Sequence, residues 1–192
     1  MKSWLDRCSA EYSECKVEKS LLPTRVLDLG SPSEREAMIR LVEPVDQLDH
    51  YVALSHVWGK SNTFLATRGT FMAKKGGFNL HETPPTFRDA ILVTRALGIR
   101  YLWIDSLCTI QGDQLDWQIE SSKMVDVYSK SYFTIAAGNS KSDTEGFLKP
   151  RNQEFATLDV SCFTGDKARL YILSHSPYDL YDEEVSYLDE RG

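Results

Sequence analysis

A handful of residues in the middle of the chain carry chemistry. Glu120 closes the tetrapeptide Trp117-Gln118-Ile119-Glu120. Counted at about 100° per residue, Trp117, Glu120, Ser121, Met124 and Tyr128 share one helical stripe. That makes Glu120 the one acid among large, mostly apolar side chains. A carboxylate so placed either finds a partner or has a perturbed pKa, and functional sites gather such groups. The alternatives are an ion pair with Arg88, Arg95 or Arg100, or an exposed position at the rim. Asp105 ends an apolar run, where an acid either caps the next element or faces a ligand. His56 follows another such run, as a packing residue or as part of a site. Cys108 lies two residues after Ser106, but no acid–base partner stands at a fixed spacing from it, which weakens a nucleophilic reading.

Those residues depend on the elements around them. Tyr51 to Ser55 (YVALS), Tyr101 to Leu107 (YLWIDSL) and Tyr132 to Ala137 (YFTIAA) scarcely alternate, the pattern of strands buried on both faces. Between the first two, Pro84-Pro85 announces a helix over Thr86–Leu97, capped by Thr86 with Asp89 and stopped by Gly98. Asp113 caps a second helix, over Leu115–Lys130. The succession predicts βαβ units around a parallel sheet. In such sheets ligands bind beyond the carboxyl ends of the strands. Ser55, His56, Trp58, Asp105, Trp117 and Glu120 are therefore expected to border one crevice. Arg25–Leu29 and Met38–Glu43 read as a hairpin before the core, and Glu154–Ser161 with Ala168–Ser174 as a hairpin after it. Ser61–Thr83 is a long segment without a clear period, and Tyr178–Gly192 is acidic and Tyr-rich.

Composition limits the partners. The 192 residues are 42% hydrophobic and 26% charged, which fits a folded protein and excludes collagen-like repeats and coiled-coil rods. A net charge of −6 gives no general attraction to nucleic acid or anionic membrane. No apolar run approaches the roughly 20 residues that a bilayer requires, and Met1–Cys15 has no signal-peptide core. A cytoplasmic protein with four free thiols is expected. There is no CxxC and no His at metal-ligand spacing from a Cys pair, so no metal is expected. Nor is there a GxGxxG or a GxxxxGK[ST] loop to hold a nucleotide cofactor.

Taken together, the motifs resemble a known family. Tyr51-Val-Ala-Leu-Ser-His-Val-Trp58-Gly59 resembles the opening motif of the fungal heterokaryon incompatibility (HET) domain. Pro85-Thr-Phe-Arg-Asp-Ala-Ile91 and Gly98-Ile-Arg-Tyr-Leu-Trp-Ile-Asp-Ser-Leu-Cys108 resemble its central motif. Ile110-Gln111, Asp116-Trp117, Glu120, Met124, Tyr128 and Gly146-Phe147-Leu148 continue it. Three positions depart from the family pattern. Tyr12 stands before Cys15 where members often carry His. Thr109 follows Cys108 where the motif more often reads CIIQ. The end at Leu188–Gly192 looks like the lead into a Trp and a Gln-Glu pair. The resemblance implies an N-terminal extension over 1–50 and a HET domain over 51–192 that is cut short at its C-terminal end.

The HET domain is similar to TIR domains. This implies an α/β fold with a TIR-like, flavodoxin-like parallel sheet flanked by helices, with hairpins added at the N- and C-terminal sides. Enzymatic TIR domains cleave NAD⁺ with a Glu in a Trp-x-x-Glu motif. The resemblance thus implies a cell-death effector of fungal non-self recognition, with NAD⁺ as substrate rather than bound cofactor. Glu120 would be catalytic, and Ser55, His56, Trp58, Asp105 and Trp117 substrate-binding. The alternative is a non-catalytic death-signalling module, acting as a homo-oligomer or through a partner protein. A Glu120 facing an open pocket favours the enzyme; one locked in a buried ion pair favours the module.

Overall fold

The computed structural model describes residues 2–13, 18–31, 38–59, 64–138, 140–149, 155–161 and 167–173, the last two segments by backbone alone. Residues 61–63, Cys15, Cys162 and the Tyr-rich stretch Tyr178–Gly192 lie outside them. The chain forms two compact units, Met1–Phe147 and Leu148–Gly192.

The first unit is built on a five-stranded mixed sheet. Its strands are β2 (Val26–Asp28), β3 (Arg40–Val42), β5 (Tyr51–Ser55), β6 (Tyr101–Ile104) and β7 (Phe133–Ala136), in the order β3-β2-β6-β5-β7. The three strands read from apolar runs are parallel: Val52 pairs with Leu102 on one side and with Phe133 on the other. The two strands of the N-terminal hairpin do more than precede this core. β2 adds antiparallel to β6, with Leu27 opposite Leu102, and β3 adds to β2. The sheet is accordingly mixed rather than purely parallel. Before it lie α1 (Lys2–Glu11) and a two-residue ladder between β1 (Ser20–Leu21) and β4 (Leu48–Asp49).

Strand alternation assigns the two faces. His56 meets Phe87 of α3 (Pro85–Leu97) edge-on at 5.0 Å, so the side of Leu54 and Leu102 faces α3. Trp103 meets Tyr128 edge-on at 5.5 Å, and the Tyr51 hydroxyl donates to the Val127 carbonyl at 2.6 Å. The opposite side therefore faces α5 (Gln114–Ser121) and α6 (Met124–Ser129). Helices on opposite faces are what right-handed crossovers in this strand order require. Phe87, Ala90 and Ile91 of α3, with Val52, Leu54, Leu102 and Ile104, form the buried core on the α3 side.

Several expected boundaries move. The second strand stops at Ile104, because Asp105 turns the chain into a short helix, α4 (Asp105–Cys108), and accepts the Ser106 amide at 2.8 Å. The helix expected over Leu115–Lys130 is interrupted at Ser122–Lys123. Ser121 and Ser122 donate their hydroxyls back to the Gln118 and Ile119 carbonyls, a competing bond that weakens a helix from within. Thr86 does not cap α3: Pro84 occupies that position, and the Thr86 hydroxyl bonds the loop after β7. Gly98 does stop α3, in the left-handed region at φ 81°. The long segment before α3 contains α2 (Phe71–Gly76) and a 3-10 turn, Leu80–Glu82. Cys8 is disulfide-bonded, which corrects the expectation of four free thiols; Cys108 is free and buried.

In the second unit, β8 (Phe155–Ser161) pairs antiparallel with β9 (Lys167–Leu173), the hairpin read from the sequence. No described helix is long and apolar enough to cross a membrane.

Tyr51 gives the fold a direct test. Its hydroxyl satisfies a carbonyl in the last turn of α6, one of the groups that a helix end leaves without a partner. Burial pushes its pKa up to about 12, so the hydroxyl stays a donor across the neutral range. Tyr51→Phe should lower stability by about 1–2 kcal/mol in urea unfolding without changing the far-UV spectrum.

Candidate functional site

Two clusters contain the residues singled out by sequence. The first lies at the carboxyl ends of β5 and β6. Asp105 is its hub: Oδ2 accepts from Trp58 Nε1 at 2.8 Å, Oδ1 accepts the Ser106 amide, and His56 Nδ1 is 3.7 Å from Oδ1. Trp58, His56 and Asp105 thus come together as expected. His56 is buried against Phe87. Ser55 is fixed through its carbonyl, which accepts from Ala137 N at 2.9 Å, and alternation directs its side chain to the face opposite His56. Gly59 closes this corner at φ 73°, and a Cβ there would stand 2.6 Å from Ser142 Cβ. The loop after β7 therefore approaches closely because Gly59 has no side chain. That loop is clamped to α3: Thr86 Oγ1 bonds Ser140 Oγ and the Ser142 carbonyl, and Asp89 accepts from Phe147 N.

The second cluster surrounds Glu120, which is 6% exposed. Its Oε1 accepts from Lys123 Nζ at 3.1 Å and lies 3.8 Å from the Arg25 guanidinium. Arg25, 4% exposed, also donates from Nε to the Cys108 carbonyl at 2.6 Å and grips both Asp116 oxygens at 2.7 and 2.8 Å. Asp116 in turn accepts the Ile110 amide. The ion-pair alternative is therefore realised, with a different arginine. Arg88 donates to the His81 and Thr83 carbonyls, Arg95 to the Leu29 carbonyl, and Arg100 to Asp28. Trp117, one turn before Glu120 on α5, stands 57% exposed, and the helix break after Ser121 ends the stripe expected to continue to Tyr128.

Glu120 also lines a cavity of about 180 Å³ with Leu22, Pro23, Tyr51, Lys123 and Val127. Ser55, His56, Trp58, Asp105 and Trp117 are not among the residues that line it. The cavity sits on the α5–α6 face, under residues 21–24, and not where the strands end.

Cys108 is no nucleophile at neutral pH. Burial pushes its thiol up to about 12, against lowering contributions from the Ile104 backbone and Arg25. No group of three or more His, Cys, Asp or Glu placed to hold a metal occurs among the described residues. Sequence reasoning missed Arg25 and Asp116, which carry the second cluster. Ser106 and Thr109 were read from the sequence, but not that their buried hydroxyl oxygens have no hydrogen-bond partner among the described residues.

A family profile, Heterokaryon incompatibility protein (HET), matches residues 51–176. The chain belongs to the heterokaryon incompatibility family. No curated protein and no solved structure gives a significant match. The HET match opens at β5 and so includes the Trp58–Asp105 cluster and Glu120. Arg25, which holds Asp116 and faces Glu120, lies before it. Membership associates the chain with heterokaryon incompatibility and the cell death related to it.

The Thr109 hydroxyl is buried without a hydrogen-bond partner among the described residues, a state that costs stability. Thr109→Val keeps the shape and removes the unsatisfied oxygen. It should raise stability by about 1 kcal/mol, read as a higher urea midpoint at unchanged slope.

Proposed function

We propose that this HET-family chain is a cytoplasmic, non-catalytic death-signalling module of fungal non-self recognition, working by self-association or by recruiting a partner protein. The observation that carries this reading is the state of Glu120. Its carboxylate is buried and committed to Lys123 and Arg25, in a network that also fastens α4, Asp116 and the segment before β2. A carboxylate in such a network serves the fold. Trp117, with Leu115 and Ile119 on the same helix, is instead turned to solvent, which suits a docking surface better than a pocket wall. A TIR-like core is supported by the parallel strands, whose chain order across the sheet is 2-1-3, the order that opens flavodoxin-like sheets.

A second reading, hydrolysis of NAD⁺ at the nicotinamide–ribose bond, draws on one observation. Glu120 Oε2 has no protein partner among the described residues, and the residue borders a cavity. A carboxylate there could stabilise an oxocarbenium-like transition state. The size of that cavity argues against it. At about 180 Å³ it is only slightly larger than the roughly 150 Å³ cavity that accommodates benzene. The five residues expected to bind substrate with Glu120 also lie outside it. Those residues, Ser55, His56, Trp58, Asp105 and Trp117, take no catalytic part in the signalling reading.

The two readings separate in one assay. Purified chain incubated with NAD⁺ should release no nicotinamide above the rate without protein, and sedimentation should show concentration-dependent self-association or a monomer awaiting its partner. Nicotinamide release that falls on the order of 10² or more in Glu120→Gln, with the fold intact, would establish the enzyme and end the signalling-only reading.

A further inference from the structure

The cavity beneath residues 21–24 has its own chemistry, and the signalling reading makes no use of it. Its apolar lining is Leu21, Leu22, Pro23, Val127 and Tyr51. Its wall carries two acids and two bases, Glu120 and Asp126 with Lys123 and Lys130. The hydrogen-bond valences of these four groups are only partly used. Lys123 Nζ gives protons to Thr24 Oγ1 at 2.8 Å and Glu120 Oε1 at 3.1 Å, which leaves one of its three donors. Lys130 Nζ gives one to Asp126 Oδ2 at 2.7 Å, which leaves two. Among the described residues Glu120 Oε2 and Asp126 Oδ1 have no protein partner. Glu120 is nine-tenths buried and lines the cavity.

We infer that this cavity binds a small zwitterion, an α-amino acid with an aliphatic side chain. The ammonium group meets Glu120 Oε2 and Asp126 Oδ1. The carboxylate meets the unused protons of Lys123 and Lys130. The side chain covers Leu22, Pro23 and Val127. A simple anion would face two carboxylates, and a simple cation two ammonium groups. An uncharged apolar molecule would leave all four polar groups to water. The volume of about 180 Å³ matches one molecule somewhat larger than benzene. The inference does not depend on whether the chain signals or catalyses.

The test is thermal unfolding and calorimetric titration of the full chain with L-leucine. Isovalerate, which lacks the ammonium, and isoamylamine, which lacks the carboxylate, serve as probes of each charge. At about ten times its dissociation constant, leucine should raise Tm by roughly 3 °C. Each single-charge analogue should bind at least about tenfold more weakly. Lys130 and Asp126 are exposed, 55% and 66%, so Lys130→Met and Asp126→Asn should fold normally. Each should weaken leucine about fivefold or more. Glu120→Gln should do so too wherever its own Tm shows it folded. The inference is overturned if leucine gives no heat and no shift up to about 50 mM, beyond which binding has no specificity to explain. It is equally overturned if either analogue matches leucine, or if both surface variants bind leucine as the parent does.

Discussion

The guanidinium of Arg25 is almost wholly withdrawn from water, and the α5 side of the molecule is arranged around it. Burying such a charge costs several kcal/mol, which is recovered only if its donors are well matched. Here they are: Nε meets the Cys108 carbonyl, and Nη2 lies within bonding distance of both Asp116 oxygens, while Glu120 stands at 3.8 Å. One side chain thereby joins the entry to β2, the end of α4 and the first turn of α5. Asp116 relays the connection to the Ile110 amide, and Lys123 relays it from Glu120 to Thr24. Glu120 thus belongs to the framework of this side of the sheet.

The strand ends are governed by a separate constraint, a close approach of backbones. Gly59 lets the loop after β7 reach the segment that follows β5, and Thr86 and Asp89 fasten that loop to the start of α3. Asp105 sets the orientation of Trp58 from within the same corner. The result is a tightly cross-linked corner at the position where open α/β sheets usually bind ligands. The polar residues there are spent largely on each other.

The legible parts of this fold were those with local causes. YVALS and YLWI are apolar on both faces and became β5 and β6, and Pro84-Pro85 with Gly98 fixed both ends of α3. The illegible parts depended on partners distant in sequence. RVLDL alternates as an edge hairpin would, yet Leu27 pairs with Leu102, a choice that only tertiary packing makes. The helical stripe through Trp117 and Glu120 assumed one continuous helix. Two consecutive serines bonding back to the backbone broke it after Ser121, and Trp117 is exposed although it shares α5 with the buried Glu120. Burial of Glu120 was legible because it is the only acid on that stripe. Its near partner Lys123 stands at the i,i+3 helical spacing, whereas Arg25, which lies 91 residues from the Asp116 it grips, is connected to this helix by no spacing rule. The orphaned hydroxyl of Thr109 was visible only as a departure from a motif.

The central claim, that Glu120 is a structural anion answering to Arg25, is most directly tested by a double-mutant cycle. Arg25→Met, Glu120→Gln and the double variant would be compared with the parent by urea unfolding at neutral pH. Arg25→Met alone should cost about 3–5 kcal/mol, because it leaves Asp116 without its cation and Glu120 with Lys123 alone. With that cation gone, the effect of Glu120→Gln should change by about 1 kcal/mol or more, the signature of two groups that interact. If the two substitutions instead add within about 0.5 kcal/mol, the pair is not coupled, and Glu120 is not held in place by Arg25.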